Sequence, residues 1–256
     1  NYQFHPYLNG YLDMQYRGIH YTIEGSDDKA GDQIDVNKHW NFFNPKAGIN
    51  FQKDGHNAFV SFSVANREPN RDNFTEAGPD ERPRHETLYD YEAGYGFGNS
   101  CFHIGTNLYF MSYNNQLILT GKISEIGEAL TSNIKDSHRI GVELTGSVRI
   151  ARWLNWNGNL TLSKNKIKHF TESIEIYDAD WNFLREDRND LGTTNIAFSP
   201  DIIANSMFNF NWKQLSASFN SQFVGRQYID NTSCKDRSID PYFVNNLRIG
   251  YVFKPK

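Results

Sequence analysis

The stretch LSASFNSQFVGRQY, residues 215–228, decides the fold class because its side chains alternate in character from one residue to the next. In an extended strand, alternate residues point to opposite faces. The apolar set is Leu215, Ala217, Phe219 and Phe223, and the polar set is Ser216, Ser218, Asn220, Gln222 and Arg226. One face of this predicted strand therefore suits an apolar surrounding and the other suits water.

The same alternation recurs along the chain, for example in residues 139–150, 154–163 and 202–212. Ten stretches read as long strands of this kind. A soluble β-sandwich also alternates, because one face of each sheet is buried, so alternation alone does not decide the environment. Length favours the membrane: several stretches alternate for about a dozen residues, whereas globular strands usually have about five or six.

The connections between the predicted strands alternate in length as well. Short turns are predicted at residues 53–56, 98–99, 151–152 and 213–214, and long polar links at residues 26–38, 69–85, 120–136, 170–197 and 229–240. Short turns at one end and long loops at the other are typical of outer-membrane barrels. We therefore predict an all-β fold, a transmembrane antiparallel up-and-down β-barrel.

The bulk composition agrees with a barrel and excludes some other classes. The mean hydropathy of -0.66 is too low for a helical membrane protein. A barrel tolerates this value because only alternate wall residues meet lipid. Aromatic residues make up 15% of the chain, which suits the aromatic girdles of such barrels. The formal net charge of -4 provides no basic footprint, so no nucleic acid partner is expected.

The two ends of the chain predict a partial barrel. Residues 1–10 lack the pattern of a signal peptide, the first strand is predicted at 7–23, and the last strand is predicted at 243–253. Ten strands joined in sequence leave two open edges, which a membrane wall does not tolerate. We expect residues 1–256 to form one partial barrel domain. Cys101 is predicted in a strand and Cys234 in a long loop, both as free thiols.

Particular strings of this sequence resemble those of the TonB-dependent outer-membrane receptors, especially the Bacteroidetes type. The strings are WNFFNPKAGINF (40–51), SFSVANREPNRDNF (61–74), ETLYDYEAGYGF (86–97), NLYFMSYNNQLILTGKISEIG (107–127), SFNSQFVGRQYIDNT (218–232) and DPYFVNNLRIGYVF (240–253). They occur in family order at family spacing, so the resemblance spans nearly the whole chain.

The resemblance implies a 22-stranded barrel filled by an N-terminal plug, with a box that engages TonB. This chain would supply about ten strands, roughly the later half of the wall, without the plug, the box or the last strands. The implied location is the bacterial outer membrane. The implied partners are TonB through the plug and its box, outer-membrane lipid and lipopolysaccharide, and a surface lipoprotein as a further candidate. No resident cofactor and no enzymatic activity are implied.

Six residues are candidates for ligand binding: Arg67, Arg71, His85, Tyr113, Gln116 and His138. The arginines could attract an anionic ligand, because guanidinium groups bind carboxylates bidentately. The structural alternative, which we favour, is an ion network of Arg67, Glu68 and Arg71 with Glu86, Asp90 or Glu92. Around Tyr113 and Gln116, aromatic and amide groups, among them Asn114 and Asn115, run from a strand into a loop, where they could contact a ligand or form the rim. His85 and His138 are predicted in long loops.

Metal-site and catalytic motifs are not recognisable in the sequence. The eight histidines show no pair at metal-ligand spacing. The acidic segment 172–190 lacks the spacing of an EF-hand loop and is predicted to be a solvated loop. GxSxG, P-loop, HExxH and GxGxxG motifs are absent from the sequence.

The cargo implied first by the resemblance is a ferric siderophore or another iron chelate. A glycan, imported in SusC fashion with a lipoprotein lid, comes second, and cobalamin third. A passive porin or adhesin barrel is an alternative from a different class. A soluble all-β binding domain is another, and it would require the alternating aromatic residues to form a buried core.

Overall fold

The computed structural model describes residues 1–26, 33–75, 83–123 and 129–253. Within these residues the chain forms long strands, one short helix, α1 (Arg71–Thr75), and one turn of 3-10 helix (Lys235–Arg237). The strands are β1 (Tyr2–His5), β2 (Leu8–Ser26), β3 (Gln33–Lys53), β4 (His56–Arg67), β5 (Glu86–Gly98), β6 (Phe102–Ile123), β7 (Ala129–Ala151), β8 (Leu154–Tyr177), β9 (Phe183–Asn195), β10 (Ile202–Trp212), β11 (Leu215–Val224), β12 (Gln227–Tyr228), β13 (Ser238–Ile239) and β14 (Tyr242–Tyr251). No helix among the described residues is long and apolar enough to span a membrane.

The strands form one large antiparallel sheet in which neighbours in sequence are neighbours in space. Its order is β1-β2-β3-β4-β5-β6-β7-β8-β10-β11-β14, with β9 pairing only with β8 and a separate small sheet of β12 and β13. The ten predicted strands correspond to β2 through β8, β10, β11 and β14. The up-and-down antiparallel wall is therefore confirmed, and β1 and β9 are additional strands that the alternation did not predict.

The short turns lie at one end of the sheet, as predicted. At the β3–β4 turn, Asp54 and Gly55 have φ values of 48° and 83°, which suits a two-residue hairpin. The β5–β6 turn is longer than predicted and includes Cys101, so the prediction that Cys101 lies in a strand is wrong. The Asn99 side chain accepts hydrogen bonds from the backbone N–H groups of Cys101 and Phe102, at 2.8 and 3.0 Å, and holds this turn. Both cysteines are free thiols.

At the other end of the sheet, three of the long links are shorter in the structure than the sequence predicts. β3 already begins at Gln33. β6 continues to Ile123, and β7 begins at Ala129. Residues 170–197 form mostly the hairpin of β8 and β9. Backbone pairing continues here although the side chains no longer alternate cleanly. His138 consequently lies within β7 and not in a loop. Residues 27–32, 76–82 and 124–128 of the predicted links lie outside the described residues.

The outer face of the sheet is apolar and remains exposed. The register aligns Phe62, Tyr91, Phe110 and Ile140 across four strands, and Trp156, Phe208, Phe219 and Leu247 across four others. Phe208, Phe219 and Leu247 expose 41%, 43% and 66% of their surface. A soluble domain would bury these side chains, whereas a membrane wall presents them to lipid.

Strand lengths place the two ends of the sheet relative to the membrane. A tilted strand crosses a bilayer with about 9–11 residues, whereas β6, β7 and β8 have 22, 23 and 24 residues. These strands therefore continue beyond the lipid on the side of the long links. A small apolar cluster of Ile118, Ile167 and Ile196, packed against Ile134 and Phe170, holds the projecting hairpins together.

Candidate functional site

The face of the sheet opposite the apolar outer face, which we call the apolar belt, is polar and carries charges in neighbouring strands. Lys46 and Asp90 occupy the same row, each paired in register with Ser63. Glu92 lies one step further along β5, and Glu143 contacts the Asn107 amide at 3.5 Å. In a barrel this face lines the lumen.

A cavity of about 370 Å³ lies on this inner face where a loop folds over it. Glu92, Glu143 and Arg139 contribute its charged groups, and Phe198 and Pro200 enter from the segment between β9 and β10. Arg139 is held by Asn165 at 3.3 Å and by the Ser199 hydroxyl at 3.0 Å. The cavity therefore combines the carboxylates of Glu92 and Glu143 with the oriented guanidinium group of Arg139.

Several buried acceptors on the inner face lack a hydrogen-bond partner among the described residues. They are Oδ1 of Asp90, Asn107, Asn205 and Asn220. Leaving such a group buried and unpaired costs about 1–3 kcal/mol. Each of these oxygens is enclosed by its neighbours on the inner face, so none of them is open to the lumen.

At the end of the sheet that carries the long links, which we call the outer rim, ion pairs fix the segment after β4 to the wall. Arg17 donates to Glu68 at 2.5 Å, and its guanidinium lies 5.2 Å from the ring centroid of Phe42. Arg67 pairs with Glu86 at 3.1 Å, and Glu86 also accepts the backbone N–H of Leu117 at 2.7 Å. Pro69 is fully buried directly after these charges. The exit from β4 is therefore fixed to three other strands.

A second cavity, of about 600 Å³, opens between this segment and the β6–β7 hairpin. Its lining is rich in side-chain amides: Asn73, Asn114, Asn115 and Asn133. Asn133 is oriented by two hydrogen bonds, because its Nδ2 donates to the backbone oxygens of Arg84 and Asn115 at 2.9 and 2.7 Å. Arg84, Lys135 and Asp136 add charge to the lining. We call this space the outer cavity.

A further group of contacts fixes the segment between β11 and β14 to the projecting β8–β9 hairpin. Arg237 donates to Glu172 at 2.9 Å and pairs with Asp230 at 2.8 Å. Asn231 accepts the backbone N–H of Ala197 at 2.8 Å and donates to the backbone oxygen of Leu119. The hydrogen bond to Glu172 is the main reason that the pKa of Arg237 is raised above its ordinary value. This outer part of the molecule is thus a packed assembly.

The tip of the β8–β9 hairpin is shaped by Asp178. Its carboxylate accepts the backbone N–H groups of Asp180 and Asn182 at 2.9 and 2.8 Å and the Asn182 amide at 3.0 Å. The hydrogen bonds from Asn182 lower the pKa of the Asp178 carboxyl. Trp181 is 82% exposed in this turn. The segment predicted as a solvated acidic loop is therefore an ordered hairpin.

The two arginines predicted as ligand contacts lie at the outer rim. Arg67 contacts Glu86, as the favoured ion-network interpretation requires, but Glu68 pairs with Arg17 of β2, which the sequence analysis did not anticipate. Arg71 begins α1. His85 directly precedes β5, in a link as predicted, and its ring lies 5.4 Å from that of Phe42.

The other three predicted residues lie in the β6–β7 hairpin. Gln116 is only 6% exposed, and its amide oxygen accepts the Ser137 hydroxyl at 2.5 Å. Tyr113 is partly buried and contacts the Met111 sulfur at 3.8 Å. His138 lies 6.3 Å from the ring of Phe110 on the outer face. The structure does not bring the six predicted residues together in one site.

None of these six residues lines the outer cavity, whose charged and amide groups were missed apart from Asn114 and Asn115. Arg84 and Lys135 are 51 positions apart, and their segments meet because β5 pairs with β6, β6 pairs with β7, and the Arg84 backbone N–H donates to the Asn133 side chain at 2.7 Å. A repeated occurrence of asparagine at 73, 114, 115 and 133 was the available signal. Among the described residues, no group of three or more His, Cys, Asp or Glu side chains is arranged to hold a metal ion.

The exposed apolar belt, the polar inner face and the alternation of turns and long links define a class, the transmembrane β-barrels of the bacterial outer membrane. The family model described as TonB dependent receptor-like, beta-barrel matches residues 2–256. The chain belongs to this family. Its members are receptors and transporters and not enzymes, in agreement with the sequence-based expectation.

Solved structures with the same fold include three iron-related receptors. The siderophore receptor PiuA from Acinetobacter baumannii has a TM-score of 0.74 at 12% identity over 96% of this chain. The ferric yersiniabactin uptake receptor FyuA from Yersinia pestis has 0.68 at 15% over 95%, and the ferric-catecholate import receptor Fiu from E. coli K12 has 0.64 at 15% over 96%. The chain spans 35%, 35% and 36% of their respective lengths. No curated protein sequence matches.

Proposed function

We propose that the protein containing this chain imports a ferric siderophore or another iron chelate across the outer membrane, energised through TonB. The outer cavity carries the proposal, because about 600 Å³ lined by amides with Arg84 and Lys135 suits an oxygen-rich ligand with negative charge. Iron is the proposed metal because the three solved structures above are receptors for a siderophore, a ferric catecholate and ferric yersiniabactin. At 12–15% identity these neighbours support the fold, so the cargo is our proposal.

The inner face supports a transport route that is gated by a plug. Charged side chains of this face, such as Lys46 and Glu92, would contact a domain seated in the lumen. Such a domain would close the barrel at rest and carry the box that TonB engages. A passive porin would leave these groups to water. The outward aromatic belt would contact lipid and lipopolysaccharide.

Uptake in cells tests the proposal. A strain that lacks the complete gene should lose uptake of labelled ferric chelate under iron limitation, and the intact gene should restore it. A gene without the TonB box should insert normally and fail to restore uptake. Restoration without the box would contradict energised import and favour a passive barrel.

A pair of substitutions tests the outer cavity itself. Arg84→Ala with Lys135→Ala should raise the half-saturating chelate concentration about thirty-fold or more, since each of the two charged contacts is worth about 1 kcal/mol or more. Arg185→Ala is the matched control, because Arg185 pairs with Asp187 on the exposed hairpin, away from the cavity. Normal iron uptake in the deletion strain would demote iron and make a glycan, with a surface lipoprotein, or cobalamin the next cargo to test.

A further inference from the structure

Two histidines from neighbouring strands stack against each other at the outer end of the wall. The rings of His20 and His39 lie 3.9 Å apart between centroids, with an angle of 13° between their planes. They occupy directly opposed positions in the β2–β3 ladder, and both are exposed. His20 and His39 are 19 positions apart in the sequence, so they do not show metal-ligand spacing. The strand register alone brings them together.

The pair lies on the outer face, beyond the apolar belt. Leu12, Met14 and Tyr16 share its face on β2 and are 61%, 62% and 69% exposed, as lipid-facing residues are. His20 follows Tyr16 by four residues, which is about 13 Å along a strand. The Tyr16 hydroxyl donates to Asn41 at 2.7 Å, which marks the change from apolar to polar partners. The imidazoles are therefore in water, outside the lipid and outside the lumen.

Their surroundings favour a cation. Nε2 of His20 lies 3.1 Å from Oδ1 of Asn37, a contact that orients the ring. When this nitrogen donates its proton to Asn37, Nδ1 of His20 keeps its lone pair for a metal ion.

We propose that His20 and His39 bind one divalent transition-metal ion on the outer surface, with water completing its coordination, when the two rings turn out of the stacked arrangement and one nitrogen of each points at the ion. Imidazole nitrogen suits Cu²⁺, Ni²⁺ and Zn²⁺, and Cu²⁺ binds tightest in the order of divalent first-row metals. This site is separate from the outer cavity and does not depend on which cargo the protein imports.

Copper titration of the complete receptor in detergent tests the site. Electron paramagnetic resonance should show one bound Cu²⁺ with hyperfine coupling to two imidazole nitrogens. His20→Asn and His39→Asn should each weaken binding at least ten-fold, and each should leave a signal from at most one imidazole. His5→Asn is the control, because His5 lies in β1 at the opposite end of the wall.

Three results would overturn the proposal. The first is a wild-type spectrum with one imidazole or none, which needs no variant and so does not depend on how the variants fold. The second is unchanged affinity in either histidine variant that retains the mobility shift of a folded barrel on unheated gels. Loss of binding in His5→Asn to the same extent would also assign the copper elsewhere. Uptake assays play no part, so failure here leaves the proposed import function untouched.

Discussion

The β3–β4 turn shows how one residue is constrained both by its own backbone and by a neighbouring turn. Gly55 has a φ of 83°, a conformation that residues with a side chain rarely adopt. A Cβ at this position would lie 2.3 Å from the backbone oxygen of Gly98 in the β5–β6 turn. The Gly98 N–H donates to the Gly55 oxygen at 2.9 Å, so the two turns are joined.

We expect Gly55→Ala to destabilise the barrel by at least about 1–2 kcal/mol, the usual cost of the left-handed conformation for a residue with a Cβ. The contact with Gly98 adds to this cost because backbone has to move. Urea unfolding of the complete receptor in detergent measures the effect. Gly25→Ala is the control, since a Cβ there meets nothing within 4 Å. Equal stability of the two variants would contradict this account of the turn.

Among the elements, the projecting β8–β9 hairpin is joined to the segment 229–240 by Arg237 and by the Ser233 hydroxyl, which accepts the backbone N–H of Asn195 at 2.7 Å. Glu172 and Asp230 are 18% and 11% exposed at the side chain, whereas Arg237 is 47% exposed. Water therefore screens the guanidinium, and each exposed pair contributes about 1 kcal/mol or less. The Arg237 guanidinium nevertheless joins β8 to the segment 229–240, because it contacts both Glu172 and Asp230. These two elements are not paired as strands in the sheet.

We expect Arg237→Ala to increase amide hydrogen exchange in residues 229–240 several-fold while the wall strands keep their protection. Arg185→Ala removes a pair within β9 alone and should leave residues 229–240 unchanged. Exchange that is equal in the two variants would mean that the hydrogen bonds of Asn231 and Ser233 to Ala197 and Asn195 hold the segment without Arg237.

For the whole molecule, the decisive feature is that the described sheet does not close. β1 pairs only with β2, and β14 only with β11, in the described part of the chain. An unpaired edge in lipid leaves backbone N–H and C=O groups without partners, and no water is available there to replace them. The wall is complete only when other strands occupy both edges.

We therefore expect residues 1–256, refolded alone in detergent, to aggregate or to remain unfolded on unheated gels. The complete receptor should run as a compact, heat-sensitive band under the same conditions. A stable monomer of residues 1–256 with protected edge amides would show that the sheet closes on itself, and would contradict the open wall.

The sequence by itself determined the membrane barrel, the number of main wall strands and the position of the short turns. These follow from a local pattern: side chains on a strand alternate, and lipid and lumen select opposite characters at successive positions. Where the lipid ends, this selection ends too, so the pattern did not predict how far β6, β7 and β8 continue or that His138 is in a strand.

Which distant residues come into contact depends on the tertiary structure. Arg84 and Lys135, Arg17 and Glu68, and His20 and His39 are brought together by strand register and by segments folded back on the wall. Register depends on pairing between strands, and a shift of one residue would exchange the faces of every side chain. The alternation shows which face a residue takes, but it contains no information about the residue that lies opposite.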